Sequence, residues 1–388
     1  MSDSLNTQPR MLTVIENGEL FAPEPRGRED VLLCAGKVAK VGAVDRHAVE
    51  SVGVEVEVID AAGCLVVPGF IDPHEHLLGG SGESGFSTQT PEIHLREIVS
   101  AGITTVVGAL GVDTTMKTMA GLLAKVKALR EEGLTAYVWT GGYNVPPTTI
   151  TDSVRNDILF IAEVIGAGEI AIADERSTDP RPDELARLVN DAYVGGMLSR
   201  KAGVTHFHVG DKAERLKLLR TLIDDFDLSP EMFYPTHVER SEALMSEAVE
   251  LSRRGAFVDV DTVEEDLPKW LRFYLDNGGD EAKLTASSDA SITGPHHLFS
   301  QVAACIVEHG FAIEQALRLV TSNTADVLKL ESKGRIEPGK DADLLVLKKG
   351  TLEIKHVIAA GRLMIRDGDL VKREAFLEDS DRNVLQSA

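Results

Sequence analysis

Eleven histidines are spread over 388 residues, and a few of them combine residue type with telling placement. His74 and His76 form His-x-His directly after Pro68-Gly69-Phe70-Ile71-Asp72. In an extended segment, residues i and i+2 point to one face, so both imidazoles can reach a single metal ion. His208 closes Gly203-Val204-Thr205-His206-Phe207, His237 closes Phe233-Tyr234-Pro235-Thr236, and Asp289 closes Leu284-Thr285-Ala286-Ser287-Ser288. Imidazole with carboxylate suits zinc first and other divalent transition metals next. Taken singly these signals are weak. A lone His-x-His is as often a surface pair, and His206 shares a strand face with His208, so periodicity does not separate them. The joint placement at strand ends carries the metal-site reading. His47, His94, His296, His297, His309 and His356 lack such placement and are expected to be solvated or structural.

The elements that must position these residues follow from the apolar pattern. Short apolar runs alternate with amphipathic stretches from about residue 68 onward. Strands are expected at Phe70–Ile71 with its lead-in, Thr104–Ala109, Ala136–Thr140, Glu169–Ala173, Thr205–Val209, Met232–Thr236, Ala256–Val260 and Leu284–Ser287. Helices fill the gaps, among them Leu122–Glu132, Asp183–Gly195 and Ala213–Phe226, and Thr90-Pro91-Glu92 reads as a helix start. Eight strands each followed by a helix predict a (β/α)8 barrel of the TIM type, with a doubly wound open sheet as the competing architecture. In such a barrel, sites form at the C-terminal ends of the strands, where the His and Asp residues fall. Both chain ends read as short strands instead: Met11–Glu16, Val31–Cys34, Lys37–Val41 and Val54–Val58 before the barrel, and Ala342–Leu347, Leu352–Ile358 and Arg362–Ile365 after it.

Composition narrows the partners. With 62 Asp and Glu against 40 Lys and Arg, the formal charge is −22. That charge speaks against nucleic acid and against an anionic membrane surface. Cys34, Cys64 and Cys305 are too few and scattered for a disulfide framework or a Cys-based zinc site, which fits a reduced, cytoplasmic setting. The first ten residues, MSDSLNTQPR, have no apolar run of a signal peptide, and no apolar run approaches membrane-helix length.

The run Val67-Pro68-Gly69-Phe70-Ile71-Asp72-Pro73-His74-Glu75-His76, with His208, His237 and Asp289 far downstream, resembles the amidohydrolase superfamily. The ending Gly334-Arg335-Ile336-Glu337-Pro338-Gly339-Lys340-Asp341-Ala342-Asp343 is similar to that superfamily's return into a small β-sandwich. The implied organisation is a discontinuous β-sandwich of residues 1–67 and 336–388 around a catalytic barrel of residues 68–335. The closer resemblance is to the isoaspartyl (β-aspartyl) dipeptidases. It rests on Gly79-Gly80-Ser81-Gly82-Glu83, Thr140-Gly141-Gly142-Tyr143-Asn144-Val145-Pro146, Asp174-Glu175-Arg176-Ser177, Pro235-Thr236-His237-Val238-Glu239-Arg240 and Ser287-Ser288-Asp289.

That resemblance implies hydrolysis of isoaspartyl dipeptides by a metal-activated hydroxide, a cytoplasmic enzyme and a homo-oligomer, an octamer in the family. Arg176 and Arg240 would take the two substrate carboxylates, since bidentate guanidinium pairing is the strong way to do so. Glu83 would take the ammonium, Tyr143 would donate to the oxyanion, and Asp289 would act as general acid and base. Ser81, Val112 and Thr293 would line the substrate site, Val112 replacing the usual threonine and Thr293 a serine. Without the resemblance, Arg176 and Arg240 read as solvated, Tyr143 as a packed loop aromatic, and Gly79–Gly85 as a phosphate cradle lacking its Gly-Lys-Ser/Thr.

One position departs from the family. A lysine carboxylated to bridge two zinc ions is expected on the fourth barrel strand, and counting back from Arg176 puts Glu169 there. Its carboxylate sits roughly 3–4 Å closer to the backbone. The bridging role is expected to pass to Glu169, with His74, His76, His208, His237 and Asp289 completing a two-zinc set. A single metal and a weakened site are the alternatives. Rival activities are an N-acyl-amino-acid deacetylase, a cyclic-amide hydrolase, or an inactive amidohydrolase-fold scaffold.

Overall fold

The computed structural model describes residues 11–378 and residue 380, so the leading decapeptide and the extreme C-terminal end of the expected sandwich lie outside the described residues. The strands before the barrel are β1 Leu12–Glu16, β2 Glu19–Phe21, β3 Pro25–Arg28, β4 Val31–Cys34, β5 Lys37–Val41, β6 Val56–Asp60 and β7 Cys64–Pro68, with helix α1 at Arg46–Glu50. Next come β8 Phe70–Glu75, α2 Leu95–Ser100, β9 Ile103–Gly108, α3 Met119–Glu132, β10 Thr135–Thr140, α4 Val154–Phe160, β11 Val164–Ile172 and α5 Pro182–Ser199. The series continues through β12 Thr205–Val209, α6 Lys217–Asp224, β13 Phe233–Thr236, α7 Glu242–Arg253, β14 Val258–Asp261, α8 Leu267–Asp276 and β15 Leu284–Ser287. Helices α9 His296–Val307, α10 Ile313–Val320 and α11 Ser322–Val327 then lead to β16 Leu344–Lys348, β17 Ile354–Ala359, β18 Arg362–Arg366 and β19 Asp369–Leu370.

Strands β8 to β13 form one parallel sheet in sequential order, and β14 pairs with β15. The curl closes where the His76 N–H donates to Ala290 O at 2.9 Å and Glu75 bridges Ala290. On the other side, Thr236 Oγ1 of β13 donates to Asp259 of β14 at 2.8 Å. The eight-stranded barrel is therefore present and the open doubly wound sheet is not. Apart from Thr135 and Tyr137 of β10, its strand residues are buried, as expected of parallel strands between a filled interior and an outer ring of helices.

Local chemistry sets the helix limits. Thr118 caps α3 by accepting from Gly121 N, and Gly133 closes it in the left-handed region at φ 105°. Pro182 opens α5, where Glu184 reaches back to Arg181 N at 3.0 Å. One expected start is wrong. No helix begins at Pro91; α2 starts at Leu95. The Thr90 hydroxyl instead accepts from Gly80 N and donates to Ser291 O at 2.8 Å, tying two rim loops together.

There are two further sheets, β5-β4-β1-β6 from the N-terminal end alone and β19-β18-β17-β16-β7-β2-β3 from both chain ends. The larger one is apolar on both faces, which follows from the period of two. Val66, Leu344, Val346 and Ile358 pack toward the smaller sheet with Ile15, Val31 and Leu33. The alternate residues Leu65, Val67, Leu345, Leu347 and Val357 join the barrel core.

Candidate metal centre

Six side chains converge at the C-terminal end of the barrel. His74 lies in β8 with His76 just beyond it, Glu169 in β11 and His208 in β12, while His237 and Asp289 follow β13 and β15. His237 and Asp289 both adopt positive φ, 61° and 45°, a backbone that non-glycine residues rarely take and that clusters at functional sites. The β11–β12 register shifts between Ala167 and Ile170, so Glu169 sits in an irregularity of an otherwise regular pair.

Glu169 stands between two nitrogen sets. Its Oε2 lies 3.1 Å from His74 Nε2 and 3.8 Å from His76 Nε2. Its Oε1 lies 2.7 Å from His208 Nδ1 and 3.3 Å from His237 Nε2. Asp289 Oδ1 completes the first set, 3.1 Å from His76 Nε2 and 3.5 Å from His74 Nε2. His74-His76-Glu169, Glu169-His208-His237 and His237-Asp261-Asp289 can each gather around one ion, and Glu169 belongs to two of these groups. Donors on a tetrahedral zinc with bonds of about 2.0–2.1 Å sit roughly 3.3 Å apart, close to most of these separations. Nitrogens and carboxylate oxygens that can each give a lone pair to a cation are thus gathered together, and Asp289 Oδ1 is buried with no hydrogen bond. The donor set fits divalent cations.

Several of the residues expected to bind substrate gather beside His208. Tyr143 OH is 2.8 Å from His208 Nδ1, and the Arg176 guanidinium lies over the Tyr143 ring. Arg176 donates through Nη1 to Glu83 Oε1 at 2.8 Å, and through Nε and Nη2 to both oxygens of Asp174 at 2.9 Å. Gly111 packs against the His76 ring and accepts from Tyr143 N at 3.1 Å, which brings Val112 to this rim. Ser81 bridges Gln89 within the Glu83 loop, and Thr293 Oγ1 is buried without a partner. Arg240 occupies the short turn Val238–Arg240 after His237 and pairs with Asp211 at 3.2 Å. Among the described residues, no hydrogen bond or ion pair joins it to Arg176, Glu83 or Tyr143.

Comparison with known proteins sharpens this picture. The amidohydrolase family pattern matches residues 271–364. The β-aspartyl dipeptidase of the thermophilic, keratin-degrading Fervidobacterium islandicum AW-1 is 37% identical, covering 93% of this chain and 98% of that one, with a TM-score of 0.88. The chain belongs to the amidohydrolase family. The same dipeptidase in complex with β-Asp-Leu is 35% identical at the same coverage and TM-score. This amidohydrolase is also 25% identical to the adenine deaminase of Geobacillus kaustophilus (strain HTA426) over 96% of its own length. It spans 55% to 61% of the first two adenine deaminases it matches.

Electrostatics at the centre of this amidohydrolase follow from burial and close opposite charge. Burial alone would depress His74, but the Glu169 and Asp289 carboxylates outweigh it and carry the imidazole up to about 9. His237 is likewise depressed by burial and lifted, to about 10, by hydrogen bonds to Asp261 and Glu169. Glu169 pays for its burial through His74 and His208, which hold it well below the usual carboxylate range. Burial beside Glu169 pushes the Tyr143 phenol well up, so it keeps its proton.

Several participants escaped the sequence reading. Asp261 accepts from His237 Nδ1 at 2.6 Å and Asp174 lies 3.0 Å from His208 Nε2, each fixing a ring whose other nitrogen faces Glu169. Asp72 receives the backbone N–H groups of His74 and Ser288 at 3.1 and 3.2 Å, joining the first and last barrel strands. Asp72 and Asp174 stood within the quoted motifs, yet nothing local named their partners. His206, which periodicity could not separate from His208, stacks on Trp139 and contacts Tyr234 O at 3.0 Å, one layer below the centre.

Proposed function

We propose that this amidohydrolase hydrolyses isoaspartyl (β-aspartyl) dipeptides in a reaction that depends on two zinc ions. The observation that carries the reading is the Arg176–Glu83 pair, a cation and an anion 2.8 Å apart, adjoining His208 of the metal-capable cluster. A zwitterionic dipeptide offers the complementary carboxylate and ammonium beside its scissile amide. The near full-length likeness to β-aspartyl dipeptidases supports it.

His74, His76 and Asp289 would hold one ion, His208 and His237 the other, with Glu169 shared. When bound, the ions supply Lewis acidity and a water deprotonated near neutral pH. The remaining chemistry belongs to the chain. Glu83 exchanges Arg176 for the substrate ammonium, and Arg176 receives a carboxylate in its place. Arg240 takes the second carboxylate once released from Asp211, whose side chain is 78% exposed. Tyr143, kept protonated, donates its phenolic hydrogen to the oxyanion. Asp289 accepts the proton of the attacking water and returns it to the leaving amine.

The test compares β-Asp-Leu with α-Asp-Leu, N-acetyl-leucine and adenine on zinc-loaded protein. Turnover of β-Asp-Leu is expected, with Arg176→Met and Arg240→Met each lowering kcat/KM about 10–100-fold through lost charge-assisted hydrogen bonds. Ammonia release from adenine with β-Asp-Leu untouched would overturn the proposal, as would near-normal kcat/KM in both arginine variants.

A further inference from the structure

Asp174 has no part in the chemistry above, yet both oxygens of its carboxylate hold contacts beside the centre. It follows β11 and is 5% exposed. Its Oδ1 accepts the Arg176 backbone N–H at 2.7 Å and Arg176 Nε at 2.9 Å. Its Oδ2 accepts Arg176 Nη2 at 2.9 Å and faces His208 Nε2 at 3.0 Å. Arg176 Nη2 and His208 Nε2 are themselves 3.0 Å apart. A guanidinium has no acceptor, so Arg176 Nη2 is a donor toward both Asp174 Oδ2 and the imidazole nitrogen. A hydrogen on Nε2, where Asp174 Oδ2 can accept it, would leave the Nδ1 lone pair beside Glu169 Oε1 free for a cation.

We infer that Asp174 is a positioning residue that locks Arg176 and His208 into one unit, so that metal retention on the His208–His237 side and capture of the substrate carboxylate depend on the same side chain. The substrate arm rests on the proposed function; the metal arm does not. A second feature points to the same unit. Gly210, two residues beyond His208, has no room for a methyl group: a Cβ there would lie 2.5 Å from both Asp174 Cβ and Oδ2, and 2.6 Å from Ala173 O. The glycine leaves the space that the Asp174 carboxylate fills between the ends of β11 and β12. No positive φ calls for a glycine at this position, so the packing does.

The experiment measures zinc stoichiometry and chelator competition on the full chain, followed by kinetics on β-Asp-Leu. Asp174→Asn is expected to weaken one of two zinc equivalents about 10–100-fold, the range seen when a ligand's hydrogen-bond partner is lost. That equivalent is the one removed by His237→Ala, and Asp174→Asn in the His237→Ala background should lose no further zinc. KM should rise about tenfold or more in Asp174→Asn, while the thermal midpoint of the metal-free protein stays near wild type. Gly210→Ala, which displaces the carboxylate without neutralising it, should shift both readouts the same way by less. Wild-type zinc retention in Asp174→Asn overturns the inference, and so does a loss shared equally by both equivalents. A change in KM alone overturns the coupling. A wild-type protein inert toward β-Asp-Leu would overturn the proposed function instead, and the zinc competition alone would then decide the role of Asp174.

Discussion

At the N-terminal face of the barrel, Lys333 is buried with its ammonium on Thr135 Oγ1 at 2.7 Å, Asp341 Oδ2 at 3.1 Å and Asp343 Oδ2 at 2.5 Å. The two carboxylates are also supplied: Asp343 accepts Ala360 N, and Asp341 accepts Ser332 Oγ and Lys37 Nζ. At the C-terminal face, Glu169 and Asp289 meet nitrogens that offer lone pairs as readily as hydrogens, and Asp289 Oδ1 has no hydrogen bond. One buried charge cluster is complete in itself and the other is complementary to something cationic. Burial and charge are common to both. The balance of donors and acceptors distinguishes a staple from a site.

Glu169→Gln tests the open end and should have the largest effect. The amide keeps the shape and removes the shared charge, so zinc content and kcat should fall together. A kcat loss on the order of 10³-fold is expected, beyond the 10–100-fold typical of outer partners. Unchanged zinc and unchanged kcat would remove Glu169 from the centre.

Lys333→Met tests the closed end. It leaves the buried Asp343 and the half-buried Asp341 without their shared ammonium, at about 3–5 kcal/mol of unfolding free energy. Denaturant titration should register that loss while zinc content per folded chain stays at the wild-type value. A variant that instead loses zinc without losing stability would erase the contrast between the ends.

The same pair predicts a pH window. Burial works against the Asp341 charge, but Lys333 and its other donors hold its pKa below the ordinary 3.8. Its contribution is present above that value and is lost as pH falls through the lower folded one. Lys333 is raised above 10.5, burial being outweighed by Asp343 and Asp341, so its contribution is present below 10.5 and is lost as pH rises further. The stability gap between wild type and Lys333→Met should be flat across neutral pH and narrow toward both extremes. A gap that widened toward pH 3 would contradict this account.

The two ends also differ in how much of them the sequence discloses. The strand-end residues were legible because each follows a short apolar run, and His-x-His is a local pattern with a geometric meaning. Glu169 was found by counting from Arg176, not from any property of its own. The staple was invisible: Thr135 and Lys333 are 198 positions apart, and a lysine between Ser332 and Gly334 looks like a solvated loop. Asp174 and Asp261 were missed for the same reason, since each takes its meaning from a histidine on a neighbouring strand. Periodicity reports which face a residue occupies. It does not report which distant atom will meet it there.

Thr90 gives the smallest and most discriminating test, because the sequence assigned it the wrong task. Read as a helix cap, its replacement would cost local helix stability and nothing at the site. In the structure its hydroxyl links Gly80, on the loop that carries Glu83, to Ser291, two residues past Asp289. Thr90→Val keeps the shape and breaks both bonds, at about 0.5–1.5 kcal/mol each. Both loops belong to the rim, so the loss should appear as a several-fold rise in KM for β-Asp-Leu. Zinc content should hold, because none of the six converging side chains touches the hydroxyl. The Lys333 staple should be indifferent to the change. A stability loss with KM unchanged would uncouple the rim from its tie.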